Sequence, residues 1–229
     1  VRTRSQFEGG KEYVEGKDYI IDYDRGTIAR TAGSAIPDFS KNILFGAKDF
    51  NHTDFPGFGN TDFFAYVDYE SSAAEPLFAP TPTPYLKKTG ECLRAGRPLR
   101  IVAYGDSITV GMDATRPEYQ FDHRYAAALR EAFATSTIEL INGATSGDAT
   151  DMGLERLDAK VIQQQPGLVL LGFGMNDHNG RGFGIAPDDF RANLTTIITR
   201  IRNETPAEVL MYSTFPPNPQ WYYYGHQME

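Results

Sequence analysis

From residue 99 onward, apolar residues fall into short unbroken runs, separated by longer stretches with helical spacing. Ile101-Val102-Ala103-Tyr104 is the first run and reads as a β-strand. Residues 124–134, rich in Ala and Leu, read as a helix, and residues 138–141 as a second strand. Over residues 150–164 the positions Met152, Leu154, Leu157, Val161 and Ile162 suit an amphipathic helix, which Pro166-Gly167 stops. Leu168-Val169-Leu170-Leu171 is apolar on both faces, as a parallel strand covered by helices must be. Pro187 opens a helix over residues 187–202, with Phe190, Leu194, Ile197, Ile198 and Ile201 on one face. Residues 209–213 make a fourth strand. This strict alternation predicts a parallel sheet joined by right-handed crossovers.

Before residue 90 the rhythm is different. Tyr13-Val14 and Tyr19-Ile20-Ile21-Asp22-Tyr23 read as strands. Asp24-Arg25-Gly26 then turns the chain into Thr27-Ile28-Ala29, which is the pattern of a hairpin. Residues 63–69 form another β-prone run, and no window shows a convincing 3.6-residue period. The expectation is a small, all-β, sandwich-like domain over residues 1–90. Residues 45–60 read as a long loop holding His52 between Asp49 and Asp54, where an exposed loop histidine outweighs a metal or catalytic one. Phe55, Phe58 and Tyr66 have the shape to stack on sugar rings, but core and loop anchoring is the simpler role. Pro76, Pro80, Pro82 and Pro84 mark an extended linker at about 76–98. The second domain is expected over residues 99–229.

Composition narrows the possible partners. The 229 residues carry a net charge of -8, which argues against nucleic acid and fits a neutral ester or sugar. No run of residues is long and apolar enough to span a bilayer. The single cysteine, Cys92, lies in what reads as turn and strand surface, and no metal-ligand spacing surrounds it. Val1-Arg2-Thr3-Arg4 is not a natural start, so the compartment stays open, with a secreted or periplasmic location favoured over the cytoplasm.

The candidate chemistry sits where strands end. Gly105-Asp106-Ser107-Ile108-Thr109 follows the first strand and presents a serine at the carboxyl edge of the sheet. Asn142-Gly143-Ala144-Thr145-Ser146-Gly147 follows the second, and Gly174-Met175-Asn176-Asp177 the third. The backbone N–H groups of Ser107 and Gly147 and the side-chain amide of Asn176 would converge there as donors to a developing oxyanion. Asn142, Gly143 and Asp106 read as turn-shaping residues.

These three blocks, in this order, resemble the SGNH or GDSL hydrolase superfamily over roughly residues 99–220. The resemblance implies a flavodoxin-like three-layer α/β/α fold and hydrolysis of an ester, often O-acetyl, without metal or cofactor. It implies Ser107 as nucleophile, with the Ser107 N–H, the Gly147 N–H and the Asn176 amide as oxyanion hole. Asp177 and His178 are expected to support the site rather than complete a triad. The family's Asp-x-x-His block is not found. His52 lies in the other domain, Gln120 stands three residues before His123, and Tyr223 three before His226. The expectation is a chain truncated at its C-terminus, with the fifth strand and the catalytic His and Asp beyond Glu229. Recruitment of His226 as the base is the other account. Three functions stay open: a carbohydrate esterase with a leading β-sandwich, acting on a small-molecule or polysaccharide ester; a lipase, lysophospholipase or thioesterase; and a sugar-binding protein with an inactive hydrolase half.

Overall fold

The computed structural model describes residues 1–6, 9–47, 54–59, 61–70, 85–111, 114, 116–178 and 184–214, and the backbone of 222–223 and 226–227. His52, Asp49 and the proline-rich stretch lie outside the described residues. The chain divides into two compact units, Val1–Thr81 with Tyr222–Gln227, and Pro82–Trp221 with Met228–Glu229.

The first unit is built from antiparallel ladders. Strands β1 (Arg2–Arg4), β2 (Glu12–Tyr13) and β5 (Tyr66–Asp68) pair in the order β2-β1-β5. Strands β3 (Tyr19–Asp22) and β4 (Thr27–Arg30) form the expected hairpin, with Tyr19 opposite Arg30 and Asp22 opposite Thr27. Asp18 ties the turn before β3. Its carboxylate accepts from the Ala35 N–H at 2.8 Å and the Val14 N–H at 2.9 Å. These two bonds hold its pKa below the usual carboxylate value. Only Tyr66–Asp68 of the run 63–69 is extended, because Arg4 pairs with Tyr66 across the ladder and binds Asp68 at 2.5 Å, while Thr61–Phe63 forms a 3₁₀ turn.

The second unit is a four-stranded parallel sheet among the described residues. Its strands are β6 (Leu99–Gly105), β7 (Ile138–Asn142), β8 (Leu168–Gly172) and β9 (Glu208–Met211), in the order β7-β6-β8-β9. The helices are α1 (Lys87–Arg94), the four-residue α2 (Ser107–Val110), α3 (Phe121–Ala132), α4 (Thr150–Lys160) and α5 (Pro187–Glu204). Alternation along β6 sorts the core into two layers. Val102 and Tyr104 pack with Leu157 of α4 and Ile197 and Ile201 of α5. Ile101 and Ala103 pack on the other face with Leu93 of α1 and Ala126 of α3. The result is helix, sheet and helix in three layers. No helix among the described residues is long and apolar enough to cross a membrane.

Helix α1 departs from the turn-and-strand reading of the residues around Cys92. It has one buried apolar anchor, Leu93, and its first N–H groups are satisfied from far along the chain. The Glu208 carboxylate accepts from Lys88 N at 3.1 Å and Thr89 N at 2.8 Å. Helix α4 ends earlier than its apolar pattern suggests. It stops at Lys160, a 3₁₀ turn covers Ile162–Gln164, and Gln165 adopts a left-handed conformation with φ 48°.

Candidate active site

Strand order creates a crevice. The chain leaves β6 toward α3 on one face of the sheet and leaves β8 toward α5 on the other. Adjacent strands whose connections diverge open a cleft at their carboxyl ends, where open α/β sheets bind ligands. Ser107 follows β6 and Asn176 follows β8, so both sit at this cleft.

Ser107 is exposed at the first position of α2. Asp106 makes the turn that presents it. It is 2% exposed, and its carboxylate accepts from Ile108 N at 2.9 Å as an N-cap. Its own N–H donates to Gly172 O, at the end of β8, at 3.4 Å. Burial pushes its pKa up, and the nearby Asp177 charge adds to that push against the backbone donors. Asp106 thus caps the turn that carries Ser107.

The second block is joined to both neighbours. Thr145 N donates to Gly105 O at 3.0 Å, and Asn176 Nδ2 donates to Asp148 O at 2.9 Å. A side-chain amide has two N–H donors, and this bond uses one. Gly147 is exposed in a left-handed conformation, φ 85°, which explains glycine at that position. Asn142 does more than shape a turn. Its Nδ2 donates to Thr109 O at 2.8 Å and to the buried Asp122 Oδ2 at 3.0 Å, and its Oδ1 accepts from Ala144 N at 3.1 Å.

Beneath the serine turn, the strand ends leave no room for side chains. A Cβ on Gly105 would lie 2.0 Å from Gly172 O. The Tyr212 ring packs over Gly172, and its hydroxyl lies 2.5 Å from Thr109 Oγ1. Burial pushes the Tyr212 phenol up to about 12, so it is a neutral hydroxyl in this setting. Sequence reasoning missed the Tyr212–Thr109 and Asn142–Asp122 ties. The available signal was a polar residue, Thr109 or Asp122, placed where an apolar one would otherwise face the core.

Asp177 is 5% exposed and its Oδ1 accepts from both Thr150 N and Thr150 Oγ1. His178 is exposed on the following turn, and His123 lies in the first turn of α3. The side chain of His226 lies outside the described residues.

Residues 103–229 match the model of the GDSL-like lipase/acylhydrolase family. The chain belongs to this family. Among curated relatives, an arylesterase of Vibrio mimicus is 31% identical over 121 residues, 52% of this chain and 56% of its own length. Esterase TesA of Pseudomonas aeruginosa is 29% identical over 122 residues, again 52% and 56%. The chain thus spans a little over half the length of the curated relatives it matches. Among solved structures, a two-domain esterase active on acetylated mannans is 23% identical with a TM-score of 0.49, covering 55% of this chain and 33% of that one. A lipase/acylhydrolase from Enterococcus faecalis is 30% identical with a TM-score of 0.43, covering 52% of this chain and 59% of its own.

Proposed function

We propose that this GDSL-type chain carries the nucleophile and oxyanion hole of a serine esterase that removes acyl groups, O-acetyl in particular, from a carbohydrate. The observation that carries this reading is the linkage of the three loops through the middle one. Thr145 N donates to Gly105 O beside the turn that presents Ser107, and Asn176 Nδ2 donates to Asp148 O, next to Gly147. Nucleophile and amide donor are thereby held at one cleft.

In this reading Ser107 Oγ attacks the ester carbonyl carbon and its proton passes to a base. The carbonyl oxygen becomes an oxyanion held by the Ser107 N–H, the Gly147 N–H and the Asn176 amide. Collapse breaks the bond to the leaving alcohol, which takes the proton from the base, and leaves an acyl-serine. Water then attacks the acyl-serine with the same base, releasing the acid and restoring the hydroxyl. We assign the base to a His oriented by Asp, the Asp-x-x-His block expected after residue 229. Asp106 and Asp177, each engaged by backbone donors, support the site without joining this relay. The polar stretch Arg116, Glu118 and Gln120 after α2 favours a hydroxyl-rich substrate over a long acyl chain.

The test uses the protein as its gene encodes it, with p-nitrophenyl acetate, p-nitrophenyl octanoate and an O-acetylated oligosaccharide. Turnover of the acetates, little of the octanoate and its abolition in Ser107→Ala is the expected result. Asn176→Ala should lower kcat by about 10²–10³. Undiminished turnover in Ser107→Ala overturns the nucleophile assignment. A preference for octanoate overturns the substrate assignment and favours the lipase or thioesterase reading.

A further inference from the structure

We infer that Asp177 is a positioning residue, whose carboxylate holds the Asn176 loop against the start of α4 and so sets the spacing between the Asn176 amide and Gly147. The inference rests on the esterase reading, because it gives that spacing a catalytic purpose.

Two consecutive side chains of one loop reach the same stretch of another. Asn176 Nδ2 donates to Asp148 O at 2.9 Å, and Asp177 Oδ1 accepts from Thr150 N at 2.9 Å. Residues 147–150 are therefore stitched to residues 176–177 at two points. The Thr150 hydroxyl adds a third bond by donating to Asp177 Oδ1, and it accepts from Asn193 Nδ2 of α5 at 3.2 Å. Thr150 is fully buried, so this stitch is shielded from competing water.

The choice of capping residue is informative. Helix α4 has unpaired N–H groups at its start that want an acceptor. The residue at its own N-cap is Ala149, with extended backbone, φ -91° and ψ 176°, and no side chain able to cap. Serine or aspartate at that position would supply the cap locally. The acceptor comes instead from a residue 27 positions away, next to the amide donor. It comes at a cost, since Asp177 Oδ2 is buried with no hydrogen-bond partner among the described residues. A serine at 149 would cap α4 at its second or third N–H, but would leave the two donor loops joined only through Asn176 Nδ2 and Asp148 O. Capping α4 from the Asn176 loop adds the second tie.

This distinction gives the experiment. Asp177→Ala should lower kcat on p-nitrophenyl acetate by about 100-fold with KM little changed, the scale of effect expected for a roughly 1 Å misplacement of a catalytic group. The double variant Asp177→Ala/Ala149→Ser restores a cap to α4. It should recover thermal stability while kcat stays low. Asp177→Asn keeps an oxygen for the Thr150 N–H and should return most of the lost kcat. Two results overturn the inference: kcat in Asp177→Ala equal to that of the parent, or kcat recovering together with stability when Ala149→Ser is added. Where Asp177→Ala alone does not fold, the double variant and Asp177→Asn decide between the same outcomes. Ser107→Ala is run alongside. Its retained turnover would remove the esterase reading itself, whereas its inactivity with either overturning result removes only the role of Asp177.

Discussion

Gly172 ends β8 opposite Gly105, and its substitution isolates one contact under the serine turn. A Cβ there would lie 2.2 Å from Cε2 and Cζ of Tyr212 and 2.5 Å from its hydroxyl. The Gly172 backbone is not left-handed, so alanine meets no torsional penalty and the cost is that of moving the ring. Moving it breaks the Tyr212–Thr109 hydrogen bond, worth about 0.5–1.5 kcal/mol net. It also breaks the edge-to-face contact with Phe121, centroids 5.2 Å apart at 66°, worth another ~0.5–1.5 kcal/mol. Gly172→Ala should therefore destabilise the second unit by about 1–3 kcal/mol, the usual range for overpacking. Urea unfolding followed by the helical circular-dichroism signal is the assay, because every α-helix among the described residues belongs to that unit. In a Tyr212→Ala background the space is open and the same substitution should cost within about 0.5 kcal/mol of nothing. An equal cost in both backgrounds would refute the argument that the ring is what the Cβ meets.

Other expectations follow from single residues. Burial raises the Asp106 pKa above its ordinary value, so the folded protein binds this proton more tightly than the unfolded chain does. Its stabilising contribution is full in acid and is lost as pH rises through the raised value. Asp106→Asn keeps an oxygen for Ile108 N, and its melting temperature should gain on the parent as pH rises above about 4; parallel curves would contradict this. Glu208→Ala removes the acceptor for Lys88 N and Thr89 N, and should cost about 1 kcal/mol with faster hydrogen exchange confined to α1. Leu157 is fully buried between α4 and the sheet, so Leu157→Ala should cost ~2–5 kcal/mol in the same urea assay, and a loss under 1 kcal/mol would place it outside the core.

The centre of the sheet was legible because β6 and β8 are buried on both faces. Leu168-Val169-Leu170-Leu171 and Ile101-Val102-Ala103-Tyr104 leave no other reading, and the observed register pairs them directly. Helix α1 was not legible. Its sequence, KKTGECLR, offers Leu93 as its single buried apolar residue, and the carboxylate that caps it lies 120 positions away. A local pattern holds no trace of such a partner. The first turn of α3 and the last turn of α4 moved: Phe121 enters its helix while packing on Tyr212, and α4 gives way after Lys160 to a 3₁₀ turn over Ile162–Gln164. At the site, residue types and their order after the strands identified Ser107, Gly147 and Asn176 as candidates. The acids that hold those loops together were read as turn residues or left as supports, because their roles depend on contacts such as Asp177 with Thr150 that only the folded chain makes.

Strand β6 is first in the chain among the strands of its sheet, yet it lies between β7 and β8. During synthesis it emerges with both edges bare and with Ile101, Val102, Ala103 and Tyr104, all fully buried in the finished fold, exposed on both faces. Its second edge stays unpaired until Gly172 has been made. At roughly 5–20 residues per second, that interval is on the order of several seconds, when an apolar strand with open edges can recruit another nascent chain. Slower translation through residues 106–172 lengthens the time for which that edge stands open.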